Sequence, residues 1–325
     1  MGLTETPNTP LAGVEVLDAA DIRARLTPAA CLAALEDAYA RLHAAPADAG
    51  QSVGFPARDG TFHVKAGLYP GTRRYFAAKV NANFPANPGR GLPTIQGLIV
   101  LSDGLDGRPL AILDSGELTG LRTAAATALA ARHGARTDAR RLAVIGCGNQ
   151  ARHQITALAG VRPLAGLAVH DRDPARAAGL ADWARENHGL EAEAAGGIAE
   201  AAADADIIVT CTTAARPILT PAMVPAGAFV AAVGADNPEK QELDPALFRR
   251  ARVLVDDAAQ CAQGGDRAPA LRAGAITEDG VAADLAALAA GAKPGRTGAD
   301  EIVIFDSTGT GVQDVAAAVA AVVGG

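Results

Sequence analysis

The sequence predicts an α/β protein in which a β-rich α+β first domain is joined to a second domain built on a parallel sheet. Three observations carry this. The chain has 325 residues, enough for about two domains. Residues 51–113 hold short apolar or alternating runs separated by Gly, Pro and Asn, the pattern of strands and turns. From Arg141 onward, apolar runs at 142–145, 166–170, 207–209, 229–233, 253–255 and 302–305 alternate with helical stretches. Strands alternating with helices imply a parallel sheet covered on both faces.

In chain order, residues 1–11 read as an unstructured lead. Residues 20–45 read as helical, with Thr27-Pro28 as a start signal because proline suits the first helical position. Leu32, Leu35, Tyr39 and Leu42 follow at helical spacing, and the Tyr39 hydroxyl needs a partner if it is buried. Strands are expected at 61–64, 75–78, 97–101 and 110–113, with turns at Asp103-Gly104 and Asp106-Gly107. An alanine-rich helix at 119–133 is expected to cross between domains. Helices follow at 151–159 and after Asp173-Pro174, where Asp caps and Pro begins the first turn. The last helix, 315–323, is expected to return to the first domain. The expected limits are 1–120 plus 310–325 for one domain and 121–309 for the other.

Composition narrows the function classes. Hydrophobic residues make up 49% and aromatics only 3%, so the core must be built from Ala, Val, Leu and Ile. The net charge of −7 repels phosphate backbones, which argues against a nucleic-acid partner. The four cysteines, Cys31, Cys147, Cys211 and Cys261, form no C-x-x-C pair and lie near no histidine at ligand spacing, so no metal site is expected. No apolar run reaches membrane-spanning length, and the first residues lack the pattern of a signal peptide. A cytoplasmic protein is the expectation.

Gly146-Cys147-Gly148-Asn149-Gln150-Ala151 follows an expected strand and opens an expected helix. Gly146 permits the tight turn, Gly148 lets backbone approach a pyrophosphate, and Ala151 allows close helix–strand packing. Asn149 and Gln150 open the helix whose free N–H groups would face the phosphates. Asp171 ends the second strand of this half, where an acidic residue receives ribose hydroxyls. Together these predict a Rossmann domain binding NAD. A carboxylate there disfavours a 2′-phosphate, although the adjacent Arg172 leaves NADP possible.

At this point the chain resembles the ornithine cyclodeaminase/mu-crystallin family over nearly its whole length. The carriers are Lys79 with Asn83-Phe84-Pro85-Ala86-Asn87-Pro88, then Gly91-Leu92-Pro93-Thr94, Thr119-Gly120-Leu121-Arg122-Thr123-Ala124-Ala125 and the Gly146 loop. They continue with Gly234-Ala235-Asp236-Asn237-Pro238-Glu239-Lys240-Gln241-Glu242-Leu243 and Phe305-Asp306-Ser307-Thr308-Gly309. Val255-Asp256-Asp257, Gly264-Gly265-Asp266 and Val312-Gln313-Asp314-Val315 look most like the archaeal-type alanine dehydrogenase branch.

The resemblance implies hydride transfer between a nicotinamide and the Cα of a small α-amino or α-imino acid. It implies Asp236 as general acid/base, although the residue pattern alone suits equally an Asp capping the Asn237-Pro238 turn. It implies Lys79 as a catalytic or substrate-binding residue. Lys65 matches a branch residue, typically Arg, that holds the substrate carboxylate; as a Lys it offers a point charge and not a fork. Arg122 is expected at the pyrophosphate or the substrate carboxylate, and Thr308 near substrate. Thr94, Thr212, Val233, Gly234, Lys240 and Ser307 match positions near the cofactor. One departure stands out: the family's basic residue some ten positions before Lys65 has no counterpart in Gly50-Gln51-Ser52-Val53-Gly54-Phe55. The resemblance implies an amino-acid dehydrogenase or imine reductase. It leaves open a cyclodeaminase that releases ammonia with internally recycled NAD, and a non-enzymatic nucleotide-dependent binding protein. It also implies a homodimer formed through the β-rich domain.

Overall fold

The computed structural model describes residues 11, 13–45, 50–71 and 74–324. The expected unstructured lead lies, apart from Leu11, outside them. Two large sheets and a small two-stranded one organise the described residues. The first half forms β1 (Glu15–Leu17), α1 (Ala19–Arg25), α2 (Pro28–Ala44), β2 (Gln51–Ala57), β3 (Gly60–Leu68), β4 (Tyr75–Asn83), β5 (Ile95–Asp103), β6 (Pro109–Asp114) and α3 (Ser115–Gly134). Its six strands run in the order β1-β6-β5-β4-β3-β2. All neighbours are antiparallel except β1 with β6.

The second half forms β7 (Arg141–Ile145), α4 (Asn149–Ala159), β8 (Gly166–His170), α5 (Pro174–His188), β9 (Glu191–Ala194), α6 (Ile198–Ala202), β10 (Ile207–Thr210), β11 (Ala215–Leu219) and β12 (Phe229–Ala232). It continues through β13 (Gln241–Leu243), α7 (Pro245–Phe248), β14 (Ala251–Val255), α8 (Ala258–Gly264), α9 (Arg267–Arg272), β15 (Val281–Asp284), α10 (Leu285–Ala289), β16 (Ile302–Asp306) and α11 (Gly311–Val322). Eight of these strands make one sheet, β15-β14-β16-β12-β10-β7-β8-β9, and every pairing in it is parallel. The order reverses at β7, so β7 and β10 flank the switch point of a Rossmann sheet. Strands β7, β10 and β12 are apolar on both faces, as a sheet covered on both sides requires.

Several expectations need correction. The helix expected over 20–45 is two helices. Asp18 caps α1 in a reciprocal box with Asp21, and the Thr27 hydroxyl caps α2 by accepting from Ala30 N–H at 3.2 Å. A residue before proline avoids helical backbone, so the chain must break ahead of Pro28. The short strands β1, β9, β11, β13 and β15 were not expected, and neither was β2. β2 carries Gly54 and Pro56, residues that argue against a strand but are tolerated at the sheet edge it occupies.

Helix α3 is buried along most of its length and packs on both α2 and α4. Helix α11 returns to the first half, packing on α2, α3, β3 and β4. The approach to β3 is close enough to require glycine. A Cβ on Gly311 would lie 2.3 Å from the Ala66 carbonyl oxygen, and one on Gly67 would lie 2.7 Å from the Gly311 carbonyl carbon. Buried Tyr39 finds its partners here: its hydroxyl lies 3.1 Å from Thr310 Oγ1 and accepts from Gln313 Nε2 at 2.9 Å.

Candidate active site

Because the eight-stranded sheet is all parallel, the carboxyl ends of β7, β8, β10, β12 and β16 lie along one edge. That places the Gly146 loop, Asp171, Thr212, the 233–240 loop and residues 307–310 together. Gly146 has φ of +98°, and a Cβ there would sit 2.8 Å from both the Cys211 carbonyl oxygen and Thr212 Cγ2. Gly148 differs: a Cβ there would meet nothing within 4 Å, so its backbone faces open space. Gly148 is the N-cap of α4 and makes no side-chain cap bond, so no side chain there claims the first amides of the helix. Asp171 accepts from Cys147 N–H at 2.7 Å through one oxygen and from Asp173 N–H at 2.9 Å through the other. It therefore clamps the glycine turn as well as ending β8. Asn149 and Arg172 are exposed, and Gln150 reaches back to the Gly120 carbonyl on α3 at 3.3 Å. An open glycine, a side-chain-free helix N-terminus and an acidic residue at the next strand end fit a dinucleotide.

The six-stranded sheet supplies cations. Lys65 and Lys79 are cross-strand neighbours on β3 and β4, both buried. Lys65 Nζ donates to the carbonyls of Thr308 at 2.7 Å and Gly309 at 3.0 Å, so the segment after β16 aims it. Lys79 Nζ and Arg122 Nε share Asp314 on α11, at 2.7 Å and 2.9 Å, and Arg122 also donates to Gln313 Oε1 at 2.9 Å. Burial, together with repulsion from Arg122, outweighs the pull of Asp314 and lowers Lys79 to about 7. Burial also lowers Lys65, opposed by the attraction of Asp236. Burial opposes ionisation of Asp314, but Lys79 and Arg122 overcome it and hold that carboxylate below its usual range.

Asp236 closes the site from the loop after β12. It is half-exposed and accepts from Lys240 Nζ at 2.7 Å. Surrounding protein opposes its ionisation, yet Lys240 and Lys65, with a contribution from His63, hold it at about 2. Lys65 and His63 of the other sheet thus lie near enough to bias the charge of Asp236, which the residue pattern alone could not decide. Asn237 contributes a bond to Asp236 at 3.2 Å, and its own side-chain oxygen caps the turn by accepting from Glu239 N–H at 3.0 Å. The turn-capping role belongs to Asn237, which leaves Asp236 pointing to Lys240.

Several expected residues turn inward. The Thr212 hydroxyl donates to Glu242 at 2.7 Å, and Glu242 also accepts from Thr212 N–H, Gly234 N–H and the Thr210 hydroxyl. Burial raises Glu242 despite these four bonds. The hydroxyls of Ser307 and Thr308 donate to Asp256 at 2.9 and 3.3 Å, so these residues offer a ligand their backbone and not their hydroxyls. Val233 is half-buried, and Thr94 sits just before β5, its carbonyl bonded to Phe84 N–H at 2.8 Å. Glu242, Asp256 and Asp314 position the site although sequence reasoning assigned them no role. Each lay within a run matched to the family, and an acidic residue inside an apolar helix start, as at Asp314, was the available signal. A concavity of about 630 Å³ is lined by Arg141, Gly166 and Glu191, the first residues of β7, β8 and β9. It opens on the opposite edge of the sheet and has none of this chemistry.

The family model for the ornithine cyclodeaminase/mu-crystallin family matches residues 14–322. The chain belongs to that family. It is 36% identical to the iminosuccinate reductase of Paracoccus denitrificans over 93% of each chain. Among solved structures it resembles an archaeal alanine dehydrogenase dimer with bound NAD, with a TM-score of 0.88, 32% identity and coverage of 96% of this chain and 95% of that one. It also resembles the Δ1-pyrroline-2-carboxylate reductase of Thermococcus litoralis in complex with NADH and L-proline. There the TM-score is 0.91, the identity 27%, and the coverage 96% and 97%.

Proposed function

We propose that this family member is an NAD-dependent oxidoreductase acting on a small α-amino or α-imino acid. The observation that carries the reading is that the parallel sheet's Asp236 and the other sheet's Lys65 bias one another's charge, while Lys79, the cross-strand neighbour of Lys65, shares Asp314 with Arg122. NAD, when bound at the Gly146 loop, supplies or accepts the hydride at the substrate Cα. Relatives with this fold bind NAD or NADH, and the carboxylate charge of Asp171 at the end of β8 opposes a 2′-phosphate, which favours NAD over NADP.

The chain's own residues do the rest. Lys65, Lys79 and Arg122 bind the substrate carboxylate and orient Cα. Asp236 accepts a proton from the amino nitrogen during oxidation. During reduction its charge steadies the iminium nitrogen, and the amine forms as the C=N bond takes up the hydride. A carboxylate next to the reacting nitrogen suits both directions. Lys240 keeps Asp236 ionised, so its contact must yield as the substrate nitrogen arrives.

The same reading divides the chain at about 120/121 and 309/310, with α3 straddling the first limit. It also pairs two copies through the outer face of β2–β5, where Val53, Phe55, Phe62, Phe76, Val80 and Leu98 are exposed together. The archaeal relative is a dimer. Four unpaired cysteines fit a cytoplasmic location.

The test is a panel of keto acids with ammonia and of cyclic imines, followed by NADH and NADPH absorbance. Turnover of at least one imine, lost in Asp236→Ala while cofactor still binds, supports the reading. Tight NADH binding without turnover of any substrate overturns it.

A further inference from the structure

The parallel half buries carboxylates that the reaction does not use. Asp266, Asp306 and Glu242 are wholly inaccessible, and Asp256 is nearly so. Asp266 Oδ1 accepts the Glu242 and Leu243 amides of β13, both at 2.8 Å. Its own amide donates to Asp306 Oδ1 at 3.1 Å, and the Arg267 amide donates to Asp306 Oδ2 at 2.8 Å. Asp306 thus lies along the backbone that starts α9. It comes so close that a Cβ on Gly265 would stand 2.4 Å from its Oδ2. Asp266 Oδ2 is left over: it is buried and has no partner among the described residues.

An ionised Asp266 would bury a charge on an unbonded oxygen beside a second carboxylate, and like charges at one site favour keeping a proton. The titratable groups around the pair are Glu242 on β13, Asp256 after β14, Cys261 on α8 and Arg267 on α9. Arg267 turns its guanidinium to the carbonyls of Ala258 and Glu278 and to the exposed Glu278 carboxylate. Burial, then the charges of Asp306 and Glu242, push Asp266 well above the usual carboxylate range. As a neutral acid Asp266 carries a donor on Oδ2. Glu242 already accepts four bonds, which fills its lone pairs. Each Asp306 oxygen accepts only one, so Asp306 has room for the proton.

The pair joins two parts of the site. Glu242, whose amide Asp266 holds, accepts from Gly234 N–H two positions before Asp236. Asp306 immediately precedes the segment whose Thr308 and Gly309 carbonyls aim Lys65. We propose that Asp266 is a positioning residue that acts as a neutral acid: its Oδ2 hydroxyl donates to Asp306, and this shared proton ties the Asp236 loop to the segment that aims Lys65. The role in turnover rests on the imino-acid oxidoreductase reading.

The experiment compares the wild-type protein with Asp266→Asn and Asp266→Ala. The Asn amide can accept the two β13 amides and donate to Asp306 as the neutral acid does. An infrared difference spectrum between wild type and Asp266→Asn at neutral pH is expected to show the carbonyl stretch of one protonated carboxyl in the wild type only. Unfolded Asp266 ionises near the ordinary 3.8 while the folded residue keeps its proton, so stability falls as pH rises between the two values. Over the neutral range the wild-type unfolding constant is therefore expected to climb about tenfold more per pH unit than that of Asp266→Asn. In imine reduction Asp266→Asn is expected to retain most of the wild-type kcat, and Asp266→Ala to lose about tenfold or more. Absence of the infrared band, or parallel pH slopes, overturns the shared proton, and neither measurement needs the Ala variant to fold. Full turnover in Asp266→Ala, or an Asn variant as impaired as Ala, overturns the positioning role. Wild-type turnover of the imine panel decides the parent reading separately, because the band and the proton release are read without substrate.

Discussion

Lys79 Nζ lies 2.7 Å from Asp314 Oδ2, although the two residues are 235 positions apart in the chain. Arg122 reaches the same carboxylate from a third element. All three side chains are nearly inaccessible, at 4%, 2% and 6% exposure. The triad joins β4, α3 and α11, so it is at once a structural tie and the floor of the proposed carboxylate site. Breaking a buried pair by removing one partner leaves an uncompensated charge, at a cost of about 3–5 kcal/mol. Asp314→Asn is accordingly expected to lower unfolding free energy by about that amount in a denaturant titration. An unchanged midpoint would show that the triad carries no such load.

Lys79 predicts a pH dependence. Its folded value of about 7 lies below the ordinary 10.5, so between these limits the unfolded chain binds a proton that the folded protein lacks. The penalty of burying this ammonium is full below about 7 and is relieved as pH rises towards 10.5. Activity moves the other way. Carboxylate binding needs the ammonium, so kcat/KM for imine reduction is expected to fall as pH rises through about 7. In Lys79→Met the residual activity is expected to lack that limb. A wild-type profile flat from pH 6 to pH 9, about two units above Lys79's value, would contradict the assignment.

Asp236→Ala is expected to cut kcat by about 10²–10⁴-fold, the usual contribution of a positioned acid/base. NADH affinity, measured by fluorescence, is expected to stay within about threefold because Asp236 does not touch the glycine loop. Normal turnover in this variant would remove Asp236 from the chemistry.

Lys240 makes a separate prediction. It is the largest of the influences lowering Asp236, which is held at about 2. In the wild-type enzyme Asp236 should therefore stay ionised through the acidic range in which the protein remains folded. Lys240→Met is expected to raise the acidic limb of kcat/KM towards the ordinary carboxylate range. An acidic limb in the same place in both enzymes would show that it belongs to another group.

Asp171 clamps the turn through Cys147 N–H. Asp171→Ala is expected to weaken NADH binding about tenfold or more and to narrow the gap between NADH and NADPH. Calorimetric titration with both cofactors checks this. Unchanged affinities would leave Asp171 as a turn-former only.

The parallel half was legible because its signals are local. Leu142 to Ala151 contains strand, glycine turn and helix start within ten positions, and each residue type is demanded by backbone geometry at that spot. Thr27-Pro28 and Asp173-Pro174 likewise stated their helix starts, and both caps are present. Edge elements were not legible. β2 contains Gly54 and Pro56, and β9 is four residues long with three of them exposed or nearly so, so neither carries the periodicity of a buried face.

The sequence by itself determined the Rossmann half and its phosphate loop, whereas Asp236, Lys79, Lys65 and Arg122 were singled out by the family resemblance. It could do so because strands, caps and glycine turns depend on neighbours within a few positions. Only the tertiary structure decided what those residues touch. Lys79 is tuned by Asp314, Lys65 is aimed by the carbonyls of Thr308 and Gly309, and Asp236 is held by Lys240. Electrostatic tuning depends on distance and burial, and both are set by how two sheets meet.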